Sequence, residues 1–177
     1  MVQKAVAFAA KAHEGVFRKG TRIPYIVHPL ETAVIVSMIT DDPEVIEAAV
    51  LHDVVEDAGV TGEELERIFG KRVADLVLEE SEDKTKTWEE RKANTIRHLK
   101  TAPMDQKIVT LGDKLSNIRS TANEYMLIGD EIWKRFNVTD KKMHAWYYLG
   151  IADALKEMEN CPYYQEYVRL CHRVFGE

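Results

Sequence analysis

Apolar residues in this chain recur at the spacing of α-helices, and this periodicity restricts the fold more than any other feature. The clearest stretch covers 105–128, where six apolar positions share one face: Ile108, Leu111, Leu115, Ile118, Ala122 and Tyr125. Residues three and four positions apart lie on the same side of a helix. Alternating apolar and polar runs, which are typical of half-buried strands, are missing from the sequence. An all-α fold is therefore predicted.

Prolines, glycines and capping residues divide the chain into successive predicted helices. These cover 2–14, 29–40, 43–58, 62–69, 71–80, 88–100, 105–128, 131–136, 140–159 and 162–175. Thr61 and Glu64 are expected to form a capping box at the start of the fourth helix. The 177 residues contain no repeat, low-complexity tract or linker. Because a chain of this length fits one ordinary domain, a single domain over residues 1–177 is expected.

Composition and charge argue against several classes of protein. The net charge is -6, whereas a general nucleic-acid binder usually carries a basic excess. No apolar run approaches the roughly 20 residues that span a bilayer, and Met1 to Ala12 lacks the continuous apolar core of a signal peptide. Cys161 and Cys171 form no metal-type pair, so two reduced thiols are expected. A cytoplasmic protein without nucleic-acid or membrane partners is predicted, although a local basic cluster could still bind a small anion.

Three carboxylates and one histidine are predicted to share one end of the helix that begins at Pro43. The segment contains His52, Asp53, Glu56 and Asp57, and Asp53 continues the stripe that should face the core. Like charges at this spacing repel, and a carboxylate near the core is costly unless something pairs with it. A bound cation would remove both problems. Alternatively, the acids cap the helix or face solvent, and His52 is a satisfied core histidine.

Two further residues stand in unusual surroundings. His28 precedes Pro29 at a helix start, and Asp113 lies beside the cleanest apolar stripe. Gly112 costs a helix about 1 kcal/mol relative to alanine, which indicates that something packs close against the backbone there. A structural histidine and an ordinary surface acid remain possible interpretations.

Together, two histidines and two aspartates from three predicted helices would form a nitrogen and oxygen ligand set. Such a set suits Mn, Fe or Zn, and carboxylates with open coordination positions favour Mn. A divalent metal also makes a bound water acidic enough to supply hydroxide near neutral pH.

The order His28, His52-Asp53, Asp113 resembles the pattern of the HD superfamily. More closely, the chain resembles the hydrolase domain of the RelA/SpoT enzymes, above all the stand-alone small alarmone hydrolases, over at least residues 2–120. The matching segments are Arg18-Lys19 followed by Pro24-Tyr25-Ile26-Val27-His28-Pro29, then Leu51-His52-Asp53-Val54-Val55-Glu56-Asp57, Glu82-Asp83-Lys84-Thr85 and Gly112-Asp113-Lys114-Leu115-Ser116-Asn117-Ile118-Arg119. The resemblance implies a single HD-domain helical bundle. It also implies hydrolysis of the 3′-pyrophosphate of ppGpp or pppGpp to GDP or GTP and pyrophosphate, with one Mn²⁺ ion as cofactor.

The resemblance also implies roles for individual residues. The metal ligands would be His28, His52, Asp53 and Asp113. Glu56 and Asp57 would position or activate the attacking water. Residues around the nucleotide would be Arg18, Lys19, Tyr25 and Asn117.

The sequence departs from the family at several positions. Gly112 and Ser116 replace residues that are commonly alanine and a larger aromatic residue or histidine, which is expected to loosen the pocket wall. Lys142 and either Trp146 or Tyr147 could contact substrate, but a helical core stripe explains the two aromatic residues equally well.

Other functions remain open at this point. The same site could remove the 2′-phosphate of NADPH, hydrolyse (pp)pApp or act on a 5′-nucleotide, or the chain could bind a nucleotide as a sensor without turnover. A two-metal phosphodiesterase is disfavoured, since only His98 lies between the HD pair and Asp113. The sequence leaves the oligomeric state open.

Overall fold

The computed structural model describes residues 2–176, and it confirms the all-α prediction. Its α-helices are α1 (Val2–Ala12), α2 (Val27–Ser37), α3 (Pro43–Leu51), α4 (Val54–Ala58), α5 (Gly62–Phe69), α6 (Lys71–Glu80), α7 (Trp88–Leu99), α8 (Met104–Ile128), α9 (Lys141–Ala154) and α10 (Pro162–Phe175). Short 3-10 helices cover Gly129–Arg135 and Lys156–Met158. Within the described residues the only strand-like pairing is an isolated bridge between Phe17 and Pro24.

Helix α8 is the central element of the fold. It packs against α2, α3, α6 and α10 and against the 3-10 helix that follows it. The predicted apolar face of this helix is buried at five of its six positions: Ile108, Leu111, Leu115, Ile118 and Ala122. Tyr125, the sixth, is partly buried and packs against the same core. A residue on the flank of this face is therefore held inside the molecule at a fixed position.

Gly112 allows α2 to approach α8 closely. A Cβ atom at this position would lie 2.7 Å from Cγ2 of Val36 and 3.1 Å from the carbonyl oxygen of Thr32. The expectation that something packs against the backbone here is confirmed. The expectation that Gly112 loosens the pocket wall is wrong, because α2 itself occupies the space of the missing methyl group. This close contact places the start of α2 beside the middle of α8.

The helix predicted over 43–58 is interrupted at His52 and Asp53, and α4 continues from there. The side chain of His52 explains the break. Its Nδ1 lies 2.8 Å from the carbonyl oxygen of Ala49, which the amide of Asp53 would bond in an uninterrupted α-helix. Asp53 keeps a bent backbone (φ -97°, ψ -5°) and begins the next turn by accepting from the amide of Asp57.

Smaller differences occur at other helix ends. The helix predicted over 140–159 ends at Ala154 and is followed by a 3-10 turn, and the segment predicted over 131–136 is itself a 3-10 helix. Thr61 accepts from the amide of Glu64 as expected, whereas the reciprocal capping box is found at Thr87 and Glu90.

Two further expectations concern the cysteines and the membrane. Cys161 and Cys171 are free thiols, partly and fully buried. None of the helices within residues 2–176 has the length and apolar character required to cross a bilayer.

Candidate metal centre

Three helices bring predicted ligands to one buried point. His28 lies in the first turn of α2, His52 directly follows α3, and Asp113 lies in the middle of α8. One ligand atom from each of these residues lies within 4.8 Å of the other two. Among residues 2–176 this is the one group of histidine, cysteine, aspartate or glutamate that is compact enough to hold a metal ion.

The two imidazoles direct a ring nitrogen at each other. Nε2 of His28 and Nε2 of His52 are 3.2 Å apart. Nδ1 of His52 faces the carbonyl oxygen of Ala49, and a carbonyl only accepts, so the proton of a neutral ring must lie on Nδ1. Nε2 of His52 therefore presents a lone pair to the centre. A second lone pair at this distance is repulsive unless a proton or a cation lies between the rings.

Two carboxylates complete the cluster. Oδ1 of Asp113 is 3.1 Å from Nε2 of His28 and 3.6 Å from Nε2 of His52. Oδ2 of Asp53 is 2.9 Å from Nε2 of His52 and 3.5 Å from Nε2 of His28. Asp53 stands outside the compact group of three and accepts a hydrogen bond of 2.7 Å from the hydroxyl of Tyr25. The structure thus brings all four predicted ligands together, with Asp53 at the edge.

The charges in this cluster depend on one another. Burial lowers the pKa of His52, but the carboxylates of Asp53 and Asp113 outweigh it and hold that pKa well above its usual value. Burial raises the pKa of Asp53, but His52 and His28 outweigh it and hold it well below the usual range. Burial also raises the pKa of Asp113, but the cation of Lys114, followed by the two imidazoles, outweighs burial and holds that pKa well below its usual range. The cluster therefore favours positive charge between its carboxylates. A bound metal cation can supply this charge in place of protons.

Hydrogen bonds connect the cluster to a loop that precedes α2. Asn117 donates to Oδ1 of Asp113 at 2.6 Å, and Arg18 donates to the amide oxygen of Asn117 at 3.0 Å. The guanidinium of Arg18 also lies 5.7 Å from the ring centre of Tyr25. Three residues predicted to surround a nucleotide are therefore held beside the candidate metal ligands.

Helix α4 carries the two predicted catalytic carboxylates. Glu56 is partly buried and Asp57 is exposed. Burial first, and the negative charge of Glu82 second, raise the pKa of Glu56 above its usual value. Lys84 fixes this helix by donating to the carbonyl oxygen of Glu56 at 2.6 Å. A carboxylate with a raised pKa is better suited to accept a proton near neutral pH than an ordinary glutamate.

All ten residues predicted for the site line one cavity of about 380 Å³. The other residues that line the cavity were not predicted from the sequence. They are Glu80, Glu82, Lys92, Lys114, Ser120, Thr121, Glu124, Ile132, Arg135, Phe136 and Tyr148. Two of these had a local signal, since Glu82 belongs to a segment that carried the resemblance and Lys114 follows Asp113. The others reach the cavity only through tertiary packing.

The positions of Lys142, Trp146 and Tyr147 on α9 do not fit the interpretation that this segment contacts substrate. Tyr147 is buried in the core, with Nζ of Lys92 4.8 Å from its ring centre. Neither Lys142 nor Trp146 lines the cavity, whereas Tyr148 does. His98 also lies outside the lining and pairs with Glu79 at 2.6 Å.

The cavity fits a bound divalent cation. Seven carboxylates and five cationic side chains line it, so it carries an excess of negative charge around the two facing imidazoles. A nitrogen and oxygen donor set of this kind suits a hard or borderline divalent ion. His28, His52 and Asp113 would hold the ion, with Asp53 beside them.

Comparison with known proteins agrees with this geometry. Residues 5–135 match the family described as HD domain. The chain is 42% identical over 123 residues to a Xenopus tropicalis protein named guanosine-3′,5′-bis(diphosphate) 3′-pyrophosphohydrolase MESH1. The aligned part covers 67% of this chain and 68% of the Xenopus protein.

Two solved structures share the fold. One, reported as a metazoan ortholog of SpoT that hydrolyses ppGpp and plays a role in starvation responses, has a TM-score of 0.83 and 25% sequence identity and covers 99% of this chain and 96% of its own. The other, a Listeria monocytogenes protein, has a TM-score of 0.78 and 35% identity and covers 85% of this chain and 99% of its own.

Proposed function

Because the chain belongs to the HD domain family, we propose that it hydrolyses the 3′-pyrophosphate of ppGpp or pppGpp. The products would be GDP or GTP and pyrophosphate. One observation carries the proposal: a buried histidine and aspartate cluster, a carboxylate with a raised pKa and a basic loop all line the same cavity. Relatives named for this reaction support it.

We propose that His28, His52, Asp53 and Asp113 hold one divalent ion and that this ion is Mn²⁺. When bound, the ion would neutralise phosphoryl charge and acidify a water molecule. The compact group of His28, His52 and Asp113 supports this proposal, and the close contact between α2 and α8 holds His28 beside Asp113.

Glu56 is the proposed proton acceptor. It lines the same cavity as the proposed ligands, and its raised pKa is closer to neutral pH than that of an ordinary glutamate. The water loses a proton to Glu56 and its oxygen bonds to phosphorus, while the bond from phosphorus to the ribose 3′-oxygen breaks. That oxygen takes up a proton from solvent, and Glu56 then returns its own proton to solvent. Asp57, on the same short helix and exposed, would orient the water.

The basic loop and α8 would bind the nucleotide. Arg18 and Lys19 line the cavity and offer positive charge to phosphate groups. Tyr25 and Asn117 hold Asp53 and Asp113 by hydrogen bonds, so these two residues would couple nucleotide binding to the ligand positions. Lys92, on α7, adds a further cation to the cavity lining.

Product identification tests the function most broadly. The purified protein, loaded with Mn²⁺, is incubated separately with ppGpp, pppGpp, ppApp, NADPH and nucleoside monophosphates, and the products are separated by chromatography. Pyrophosphate and GDP from ppGpp are expected. Orthophosphate from NADPH with no reaction of ppGpp would select a 2′-phosphatase, and tight ppGpp binding without turnover would select a sensor.

Metal identity and cellular location complete the proposal. Parallel reactions with Mn²⁺, Zn²⁺, Fe²⁺ and Mg²⁺ should give the highest rate with Mn²⁺. We also propose a single domain over residues 1–177 that acts in the cytoplasm on a small nucleotide.

A further inference from the structure

A hydrogen-bond chain leads from one candidate metal ligand to the protein surface. Nδ1 of His28 is 2.8 Å from Oγ of Ser116, and the same Oγ is 2.8 Å from Oε2 of Glu31. The other oxygen of Glu31 accepts from Arg119 at 3.1 Å, and Arg119 also makes a two-point contact with Glu166. His28 and Ser116 are buried, at 3% and 1% exposure, whereas the Glu31 side chain is 35% exposed.

The direction of these bonds follows from the chemistry of the groups. A carboxylate that pairs with arginine only accepts, so the hydroxyl of Ser116 must donate its single proton to Glu31. The serine oxygen is then left as an acceptor toward His28. The proton of a neutral His28 ring therefore lies on Nδ1, and the lone pair on Nε2 faces the metal centre.

The second histidine is fixed in a different way. Nδ1 of His52 bonds the backbone carbonyl of Ala49, so its tautomer depends on no other side chain. The tautomer of His28 depends on two side chains from different helices, Ser116 on α8 and Glu31 on α2. If Glu31 were removed, the Ser116 hydroxyl could donate to Nδ1 of His28, which would move the ring proton to Nε2 and block the ligand atom.

We propose that Ser116 and Glu31 are positioning residues that set the tautomer and orientation of His28 for metal binding. This inference rests on the proposed metal site. Partners of this kind typically contribute about 10- to 100-fold to metal affinity. Neither residue lines the cavity, so their effect on the reaction would pass through His28.

Metal affinity of variants tests this role directly. Ser116→Ala and Glu31→Ala should each weaken Mn²⁺ binding about 10- to 100-fold in calorimetric titration. The double variant should bind Mn²⁺ no more weakly than the single variant with the lower Mn²⁺ affinity, because both changes act on the ring of His28. The matched control is Glu44→Ala, which removes a carboxylate paired with Arg72 at 2.7 Å and should leave Mn²⁺ affinity unchanged.

A spectroscopic measurement on the wild type does not depend on the variants folding. In the Zn²⁺-loaded protein, nitrogen-15 NMR of the histidine rings should show His28 protonated on Nδ1. In Glu31→Ala the Nδ1 proton signal should weaken or be lost. A proton on Nε2 in the loaded wild type, or full Mn²⁺ affinity in both single variants, would overturn the inference. If the wild type bound no metal at all, the proposed metal site itself would fail instead.

Discussion

At the scale of single residues, the candidate site is a cluster of donors that is unfavourable without a cation. Two imidazole nitrogens face each other at 3.2 Å, and two carboxylates approach them to 2.9 and 3.1 Å. The residue types and their neighbours in sequence made these four donors candidates, and the resemblance to the HD superfamily joined them into one predicted ligand set. Their hydrogen-bond partners were not predictable, since Ser116 and Glu31 are 85 positions apart and meet only in the folded chain.

Removing Asp53 tests the ligand set. Asp53→Ala takes away the oxygen that lies 2.9 Å from His52, so we expect purified protein to lose most of its bound metal in elemental analysis. The control Asp75→Ala removes an exposed carboxylate paired with Lys71 and should retain the metal. Full metal retention in Asp53→Ala would show that the ligand set is assigned incorrectly.

The raised pKa of Glu56 predicts the acid side of the rate profile. Glu56 accepts a proton only when ionised, so activity should fall as pH drops through its raised pKa. Burial is the larger cause of this shift and the negative charge of Glu82 the next. Glu82→Gln removes that charge, so the midpoint of the acid limb of kcat/KM should move to lower pH. A midpoint that stayed in place, or moved upward, would contradict the assignment of Glu56.

At the scale of helices, one close contact and one break position the site. The contact of α2 with α8 at Gly112 was indicated by a glycine inside an apolar helix, although its partner was not identifiable from sequence. The break between α3 and α4 was missed, because the imidazole of His52 competes for a backbone carbonyl. The spacing of apolar residues does not indicate where a side chain forms a hydrogen bond with the backbone of its own helix.

Gly112→Ala should destabilise the protein despite the higher helix propensity of alanine. The new methyl group would lie 3.1 Å from a backbone oxygen of α2 and 2.7 Å from Val36. Overpacking of this kind costs about 1–3 kcal/mol, against a propensity gain of about 1 kcal/mol. Urea unfolding should therefore show a net loss of about 1 kcal/mol, and at most about 2 kcal/mol, in the free energy of unfolding.

Gly150→Ala is the matched comparison for this change. The three atoms nearest to its methyl group would all belong to the side chain of Ile96, which can move, so the loss should be smaller. A Gly112→Ala protein as stable as the wild type would mean that α2 and α8 separate easily, which would weaken the case for a rigid site.

At the scale of the whole molecule, the candidate metal centre joins segments that are far apart in sequence. The all-α class was predictable because helical periodicity is strong along the chain. The shape of the cavity was not, since α6, α7, α9 and the 3-10 helix after α8 all contribute to its wall. The single-domain expectation over residues 1–177 stays a prediction.

Metal binding should stabilise the whole chain. A ligand present at 100 times its Kd adds about 2.7 kcal/mol, and 1 kcal/mol shifts Tm by about 2–4 °C in proteins of 150–250 residues. Excess Mn²⁺ should therefore raise the Tm of metal-free protein by about 5–10 °C in calorimetry. Asp53→Ala should show a much smaller rise, and an equal rise in both proteins would place the metal elsewhere.

We propose that this metal centre and Glu56 together carry out hydrolysis, and one variant tests both parts on the same sample. Glu56→Gln keeps the shape of the side chain but cannot accept the proton, and loss of a general base typically costs about 10²- to 10⁴-fold in rate. Metal content and ppGpp turnover should be measured together. We predict one metal ion per chain, as in the wild type, with turnover reduced at least about 100-fold. Turnover at the wild-type rate with the metal in place would contradict the role of Glu56 as proton acceptor.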